Sequence, residues 1–248
     1  MIAYTDIGEP DFPCILFFHG APAGRLRLPY LEHHFLAEGV RVVSPLADGL
    51  GIEHFVVAGH SSGGPYGLAC AAGLPERVSA AIVLGGATDM GWPGAWNGYL
   101  ESEAELMRQP DERAAIDWCT KRFGSDGSGF MAVSGFEIPE PNQRLYTDET
   151  VARLLAAARA DAFRHGVLGY AQDIFIQGRP WPFDPGSISS PVHVVHGGAD
   201  TLLPAAHSRH TAELIPGAVL PVPPPGHGHF TILGDLPGMA SRLVRSLI

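Results

Sequence analysis

The sequence predicts an α/β protein with a mostly parallel central sheet, flanking helices and a helical cap insertion. Three observations carry that expectation. Short apolar runs rich in β-branched and aromatic residues recur along the chain, as strands buried on both faces do. Helical patterns follow most of those runs. The turn formers, 31 glycines and 22 prolines in 248 residues, fall mostly between them.

Taken in order, Ile2 to Ile7 has room for a single strand. Cys14-Ile15-Leu16-Phe17-Phe18, Arg41-Val42-Val43-Ser44, Phe55-Val56-Val57-Ala58, Ala80-Ala81-Ile82-Val83-Leu84 and Val192-His193-Val194-Val195 read as buried parallel strands. The Gly- and Ala-rich segment Ser62 to Ala72 predicts a helix able to pack close to a sheet. Pro204 to Leu214 opens with a proline suited to a first helical turn. From about 89 to 187 no run reads as a buried strand, but Leu100 to Arg122 and Asp148 to His165 are amphipathic. The second of these opens on Thr147-Asp148-Glu149, an N-cap with acids in the first turn, and carries Val151, Leu154, Leu155, Ala158 and Ala162 on one face. The chain therefore divides into a core segment 1–88, a helical cap 89–187 and a second core segment 188–248. All four tryptophans fall in the cap. Trp92, Trp96 and Trp181 are expected to line an apolar substrate pocket, the alternative being that the tryptophans, Trp118 included, form the cap's own small core.

With 46% hydrophobic and 17% charged residues the chain can bury a sizeable core and is not a disordered tail. Its formal charge of −10, with no basic patch, argues against nucleic acid and anionic membrane surfaces as partners and leaves a small-molecule substrate. Cys14, Cys70 and Cys119 are too few and too scattered for a disulfide framework and read as reduced thiols. The N-terminus lacks a basic region followed by an apolar run, and no apolar stretch approaches the ~18 residues of a membrane span, so a cytoplasmic location is expected. His193 and His196 point to opposite faces of a strand, and His207 and His210 lack further ligands nearby, so neither a metal nor a cofactor is expected.

Gly59-His60-Ser61-Ser62-Gly63 matches G-x-S-x-G directly after a strand and before a helix. A serine at the tip of so sharp a turn exposes its hydroxyl, and a Cβ at either glycine would clash where strand and helix approach. A serine hydroxyl needs a base, and the base needs a carboxylate to fix its tautomer. Asp200 follows a predicted strand in His196-Gly197-Gly198-Ala199-Asp200, and His229 sits in Gly226-His227-Gly228-His229-Phe230, giving the chain order Ser61, Asp200, His229. Loops at the carboxyl ends of parallel strands converge on one edge, where the three can meet. Phe17-Phe18-His19-Gly20-Ala21-Pro22 ends another strand, and there the N–H of Ala21, with that of Ser62, could stabilise a tetrahedral oxyanion.

On these residues the chain resembles the α/β-hydrolase superfamily, in particular capped serine hydrolases with a His-Gly-x-Pro oxyanion loop. The resemblance covers most of the chain. It implies Ser61 as nucleophile, Asp200 as acid, His229 as base, Ala21 and Ser62 as oxyanion donors and His19 as a structural histidine. His227 competes with His229, and Asp89, after the preceding strand, competes with Asp200. A serine at the elbow points away from haloalkane dehalogenases and epoxide hydrolases. It points toward a carboxylesterase-like enzyme for a small, partly apolar ester, with an aminopeptidase-like amide or a carbon–carbon bond as alternatives. The rival reading is a non-catalytic ligand-binding relative.

One departure from the family pattern bears on that rival. Only nine residues, Leu46 to His54, join the strand ending at Pro45 to the strand starting at Phe55, where a parallel crossover normally holds a helix. Exposed apolar sheet surface or reduced stability is expected there, and a second copy of the chain, as a homodimer, could cover it.

Overall fold

The computed structural model describes residues 4–44, 47–133 and 138–246. The first residues of the expected N-terminal strand, and Pro45 and Leu46 at the start of the short crossover, lie outside the described residues.

Six strands form one sheet: β1 (Thr5–Ile7), β2 (Cys14–Phe18), β3 (Arg41–Ser44), β4 (Phe55–His60), β5 (Val78–Leu84) and β6 (Val192–Val195). Their order is β1-β3-β2-β4-β5-β6, with β1 antiparallel to β3 and every other pair parallel. Helices α1 (Glu32–Glu38) and α2 (Gly63–Gly73) precede β5. Helices α3 (Glu101–Met107), α4 (Glu112–Phe123), α5 (Phe130–Val133), α6 (Glu140–Gln143), α7 (Glu149–Ala162) and α8 (Leu168–Gln177) lie between β5 and β6, and α9 (Ala205–Leu214) and α10 (Leu236–Ser246) follow.

Because side chains alternate across a strand, adjacent apolar residues serve opposite faces. Ile15, Phe17, Val56 and Ile82 pack with Phe35 of α1 and with Leu236 and Ala240 of α10. Leu16, Val57, Ala81 and Val83 pack with Leu68 and Ala71 of α2 and with Ile215 after α9. Both faces are covered, which is why these strands read as unbroken apolar runs rather than alternating ones.

The insertion between β5 and β6 holds no strand among its described residues and has its own core of Leu106, Phe123, Phe130, Tyr170 and Ile174. Phe123, Phe130 and Tyr170 meet edge to face, with centroids 5.1 to 6.1 Å apart. The amphipathic stretch from Leu100 to Arg122 is two helices, because Pro110 cannot continue a helix. The second restarts on the side chain of Asp111, which accepts from the N–H of Ala114 at 2.8 Å. Asp148 caps α7 as expected, accepting from the N–H groups of Thr150 and Val151. The far end of the insertion returns to the sheet: Trp181 stacks on Phe183 at 5.0 Å, and both pack against the α2 face. No helix of the described residues is long and apolar enough to cross a membrane.

The short crossover corrects the expectation of bare sheet. Ala47, Leu50 and Ile52 pack over Leu16, Val43 and Val57, which are 7%, 0% and 0% exposed. A single 3-10 turn at Asp48–Leu50 thus does the covering of a helix. Arg77, before β5, holds it in place. Its guanidinium donates to the carbonyls of Ile52 (2.7 Å) and Glu53 (3.0 Å), pairs with Asp48 at 2.8 Å and lies over the ring of Phe55. Among the described residues this face of the sheet is packed. Replacing Arg77 with Ala should cost about 2 kcal/mol by removing two hydrogen bonds to loop carbonyls together with the Asp48 pair. The melting temperature should fall by about 4–8 °C, and an unchanged melt would show that the loop holds itself.

Candidate active site

Ser61 sits between β4 and α2 with φ at +55°, the non-glycine residue with a left-handed backbone among those described. The conformation is over-determined. The N–H of Ser61 donates to Leu84 O (3.0 Å), and its carbonyl accepts from Gly64 (3.0 Å) and Ala87 (3.3 Å). The flanking glycines are obligatory: a Cβ at Gly59 would lie 2.3 Å from Gly63 O, and one at Gly63 would lie 2.2 Å from Phe18 O. The strain, about 1–2 kcal/mol, is held by the sheet on one side and α2 on the other.

Gly85, the residue after β5, abuts the next pair of residues: a Cβ there would lie 3.3 Å from both Asp200 Oδ2 and His229 Nδ1. The His229 ring donates from Nδ1 to Asp200 Oδ2 at 2.7 Å, with side-chain exposures of 5% and 0%. The other Asp200 oxygen accepts from the N–H groups of Leu202 (2.9 Å) and Leu203 (3.1 Å). Burial, the largest single influence, pushes the Asp200 carboxyl up. The charge and hydrogen bond of His229 and the N–H of Leu203 together outweigh it and hold the group at about 2.

Both competitors have other employment. Asp89 accepts from Gly91 N (2.9 Å) and Trp181 N (3.1 Å), joining the two ends of the cap insertion. His227 Nδ1 lies 3.1 Å from Asp235 Oδ2. Among the described residues no hydrogen bond joins the Ser61 hydroxyl to His229, and catalytic contacts of this kind are often loose without ligand.

The loop that follows β2 passes directly over the serine, since a Cβ at Gly20 would meet that of Ser61 at 2.8 Å. The N–H of Ala21 is not idle, however: it donates to Ser62 Oγ at 2.6 Å. His19 Nδ1 donates to Gly20 O at 3.2 Å within its own loop.

The tryptophan expectation fails. The crevice beside Ser61 has about 40 Å³ of room, and among its walls are Arg27, Phe130, Tyr146, Leu155, Arg159 and Phe230. No tryptophan lines it. Trp92 stacks on His210 at 4.1 Å, Trp96 lies under Arg108 at 4.6 Å, and Trp181 is part of the sheet packing. These wide rings bury most area in the cap core and at its seam, and that is where the fold uses them. A wider groove of about 710 Å³ runs between α1, α10 and β6, away from Ser61.

Sequence reasoning missed several contributors. His60, the x of the motif, is 1% exposed and donates from Nε2 to the carbonyl of His229 at 2.7 Å. Burial holds its ring well below the ordinary histidine value, and so neutral. Asn142 of α6 accepts from the N–H groups of Phe230 (2.9 Å) and Thr231 (3.2 Å), bracing the His229 loop from the cap. His207 donates to Ala95 O (2.8 Å) and accepts from Thr88 N (3.1 Å), and burial lowers it to about 4. No local signal marks any of these, because each partner is distant in sequence.

A parallel sheet with a strained serine between strand and helix, and an Asp–His pair in later loops, defines a class before any comparison is made. The chain belongs to the alpha/beta hydrolase fold family, whose profile matches residues 33–236. It is 26% identical over 223 residues to "Putative carbamate hydrolase RutD" of a Caulobacter species, covering 89% of this chain and 75% of that one. It is 27% identical over 226 residues to homoserine O-acetyltransferase of Deinococcus radiodurans, covering 85% of this chain and 64% of that one. Among solved structures, an alpha/beta hydrolase fold protein from Nakamurella multipartita superposes with a TM-score of 0.65 at 21% identity, covering 98% and 95% of the two chains. The enol-lactonase from Burkholderia xenovorans superposes at 0.62 and 19%, covering 99% and 95%. At such identities the structural likeness speaks for the fold.

Two outcomes are expected of this geometry. Ser61→Gly should be more stable than Ser61→Ala by about 1 kcal/mol, because only glycine relieves the left-handed strain; denaturant midpoints of the two variants check it. Asp200, lowered from 3.8 to about 2, should contribute about 2 kcal/mol of stability above its unfolded-state value, lost as pH falls through about 2. The stability advantage of wild type over Asp200→Asn should therefore shrink between pH 5 and pH 2, and a gap independent of pH would contradict the pairing.

Proposed function

We propose that the protein is a serine hydrolase that cleaves a small, partly apolar ester through Ser61, His229 and Asp200. The observation that carries this reading is the buried Nδ1–Oδ2 pair of 2.7 Å beside a serine at φ +55°. With its Nδ1 proton committed to Asp200, His229 has Nε2 free to accept the proton of Ser61 as the hydroxyl oxygen attacks the ester carbonyl. His60 supports this by holding the base's own carbonyl. The negative oxygen of the tetrahedral intermediate rests on the N–H groups of Ala21 and Ser62, taking the place of Ser62 Oγ as acceptor at Ala21. Collapse expels the alcohol, protonated by His229. Water, deprotonated by the same ring, then releases the acid and regenerates Ser61.

The apolar walls of Phe130, Leu155 and Phe230 suit a partly apolar acyl group. Ester or acyl chemistry also runs through the names of the homoserine O-acetyltransferase and enol-lactonase relatives. The non-catalytic reading drew on the shortened crossover, and that face is packed.

Treatment with a fluorophosphonate should add one adduct by intact mass, absent in Ser61→Ala. Asp200→Asn should lower kcat on short 4-nitrophenyl esters by about 10³–10⁴. A cooperatively melting protein that takes no adduct would sink this reading and favour a ligand-binding one.

A further inference from the structure

The chain carries ten more acids than bases, and several surface arginines pair with them. Arg41 pairs with Asp6 at 2.7 Å, Arg77 with Asp48 at 2.8 Å and Arg113 with Asp117 at 3.1 Å. Even Arg25, two residues away, lies 3.9 Å from Asp161. Arg27 differs in being buried. It is 8% exposed, yet among the described residues its guanidinium meets no carboxylate and no hydrogen-bond acceptor, only the ring face of Phe230 at 4.7 Å. The groups whose charge bears on it are Tyr30, Tyr146 and a second arginine, Arg159. Arg159 also lacks a carboxylate partner among the described residues, and the buried hydroxyl of Tyr30 is without one of any kind.

A buried cation with a like charge beside it is costly, and a cation–π contact offsets that only in part. Both arginines and Tyr146 line the crevice that contains Ser61. They come from two layers: Arg27 from the core turn Arg25–Arg27 after the oxyanion loop, Arg159 from α7 of the cap. Phe230, under Arg27, is the residue after His229. The missing counter-ion therefore belongs to whatever occupies the crevice.

We propose that Arg27 and Arg159 together bind a carboxylate on the substrate, so that the ester cleaved at Ser61 carries a free acid on its acyl chain. The location of the scissile bond rests on the serine-hydrolase reading; the anion site itself does not. A guanidinium fork matches a carboxylate's two oxygens. With a chain charge of −10, long-range attraction does not favour an anion, so selection depends on these two side chains.

The test compares the 4-nitrophenyl monoester of adipic acid with 4-nitrophenyl hexanoate, equal in chain length and differing by one carboxylate. Wild type should prefer the adipate ester in kcat/KM by about tenfold or more, and Arg27→Gln should abolish the preference. Arg27→Lys should retain part of it, and Arg159→Gln should reduce it even if Arg27→Gln fails to fold. Calorimetric titration of adipate into Ser61→Ala reads the anion site without chemistry, and binding there should disappear when Arg27→Gln is added. Arg27→Met, which keeps the packing stem, should melt no lower than wild type without ligand; a lower melt, with both esters slowed equally, would make Arg27 structural and overturn the proposal. A fluorophosphonate adduct without adipate binding would also overturn the anion site, leaving the hydrolase reading intact. Arg27-dependent adipate binding without an adduct would do the reverse.

Discussion

The approach of β4 to α2 is the constraint to which the candidate site is referred. Within five residues the chain must leave the centre of a parallel sheet, reverse and enter a helix; the separation it accepts is too small for a Cβ at Gly59, and the start of α2 lies too close to the end of β2 for one at Gly63. Ser61 takes the left-handed backbone that results, and three backbone hydrogen bonds, to Leu84 of β5, Gly64 of α2 and Ala87 after β5, keep it there. The position of the hydroxyl is therefore set by main-chain packing rather than by rotamer choice. The loop after β2, the end of β5 and the His229 loop are all arranged around that fixed point.

Two features show how the rest of the molecule supports it. The crossover into β4 is stripped to one 3-10 turn, and its cover depends on a single arginine that satisfies loop carbonyls a helix would have satisfied itself. The cap is tied down at its neck by Asp89 and His207 and over the site by Asn142, which holds the N–H groups that follow His229. The insertion thus serves two purposes, walling the crevice through Phe130, Leu155 and Arg159 and bracing the His229 loop through Asn142. Since buried polar groups must be matched, each tie is also a reason for the cap to have one docked position.

Charge is distributed with the same economy. The excess of acids is spread over the surface, where most pairs are weakly coupled and screened. Inside, Asp200 is matched by His229 and two N–H groups, whereas Arg27 is matched by an aromatic face alone. One buried ion is thus complete within the protein, and the other calls for a ligand.

The sequence by itself determined the elements that rest on local rules. The buried strands were legible because both-face burial demands unbroken apolar runs, the elbow because its glycines are sterically required, the α7 cap because Asp148 must satisfy helix N–H groups, and the Ser61, Asp200, His229 order because parallel topology brings such loops together. Tertiary structure alone decided what depends on contacts between distant segments. It paired His229 rather than His227 with Asp200, turned Asp89 into a cap tie and placed the tryptophans in packing rather than in the crevice. It also covered the short crossover through Arg77 and brought Arg27 beside Arg159. None of these has a periodicity or a motif, since each is a match of charge, volume or hydrogen bonds that exists only once the chain has closed on itself.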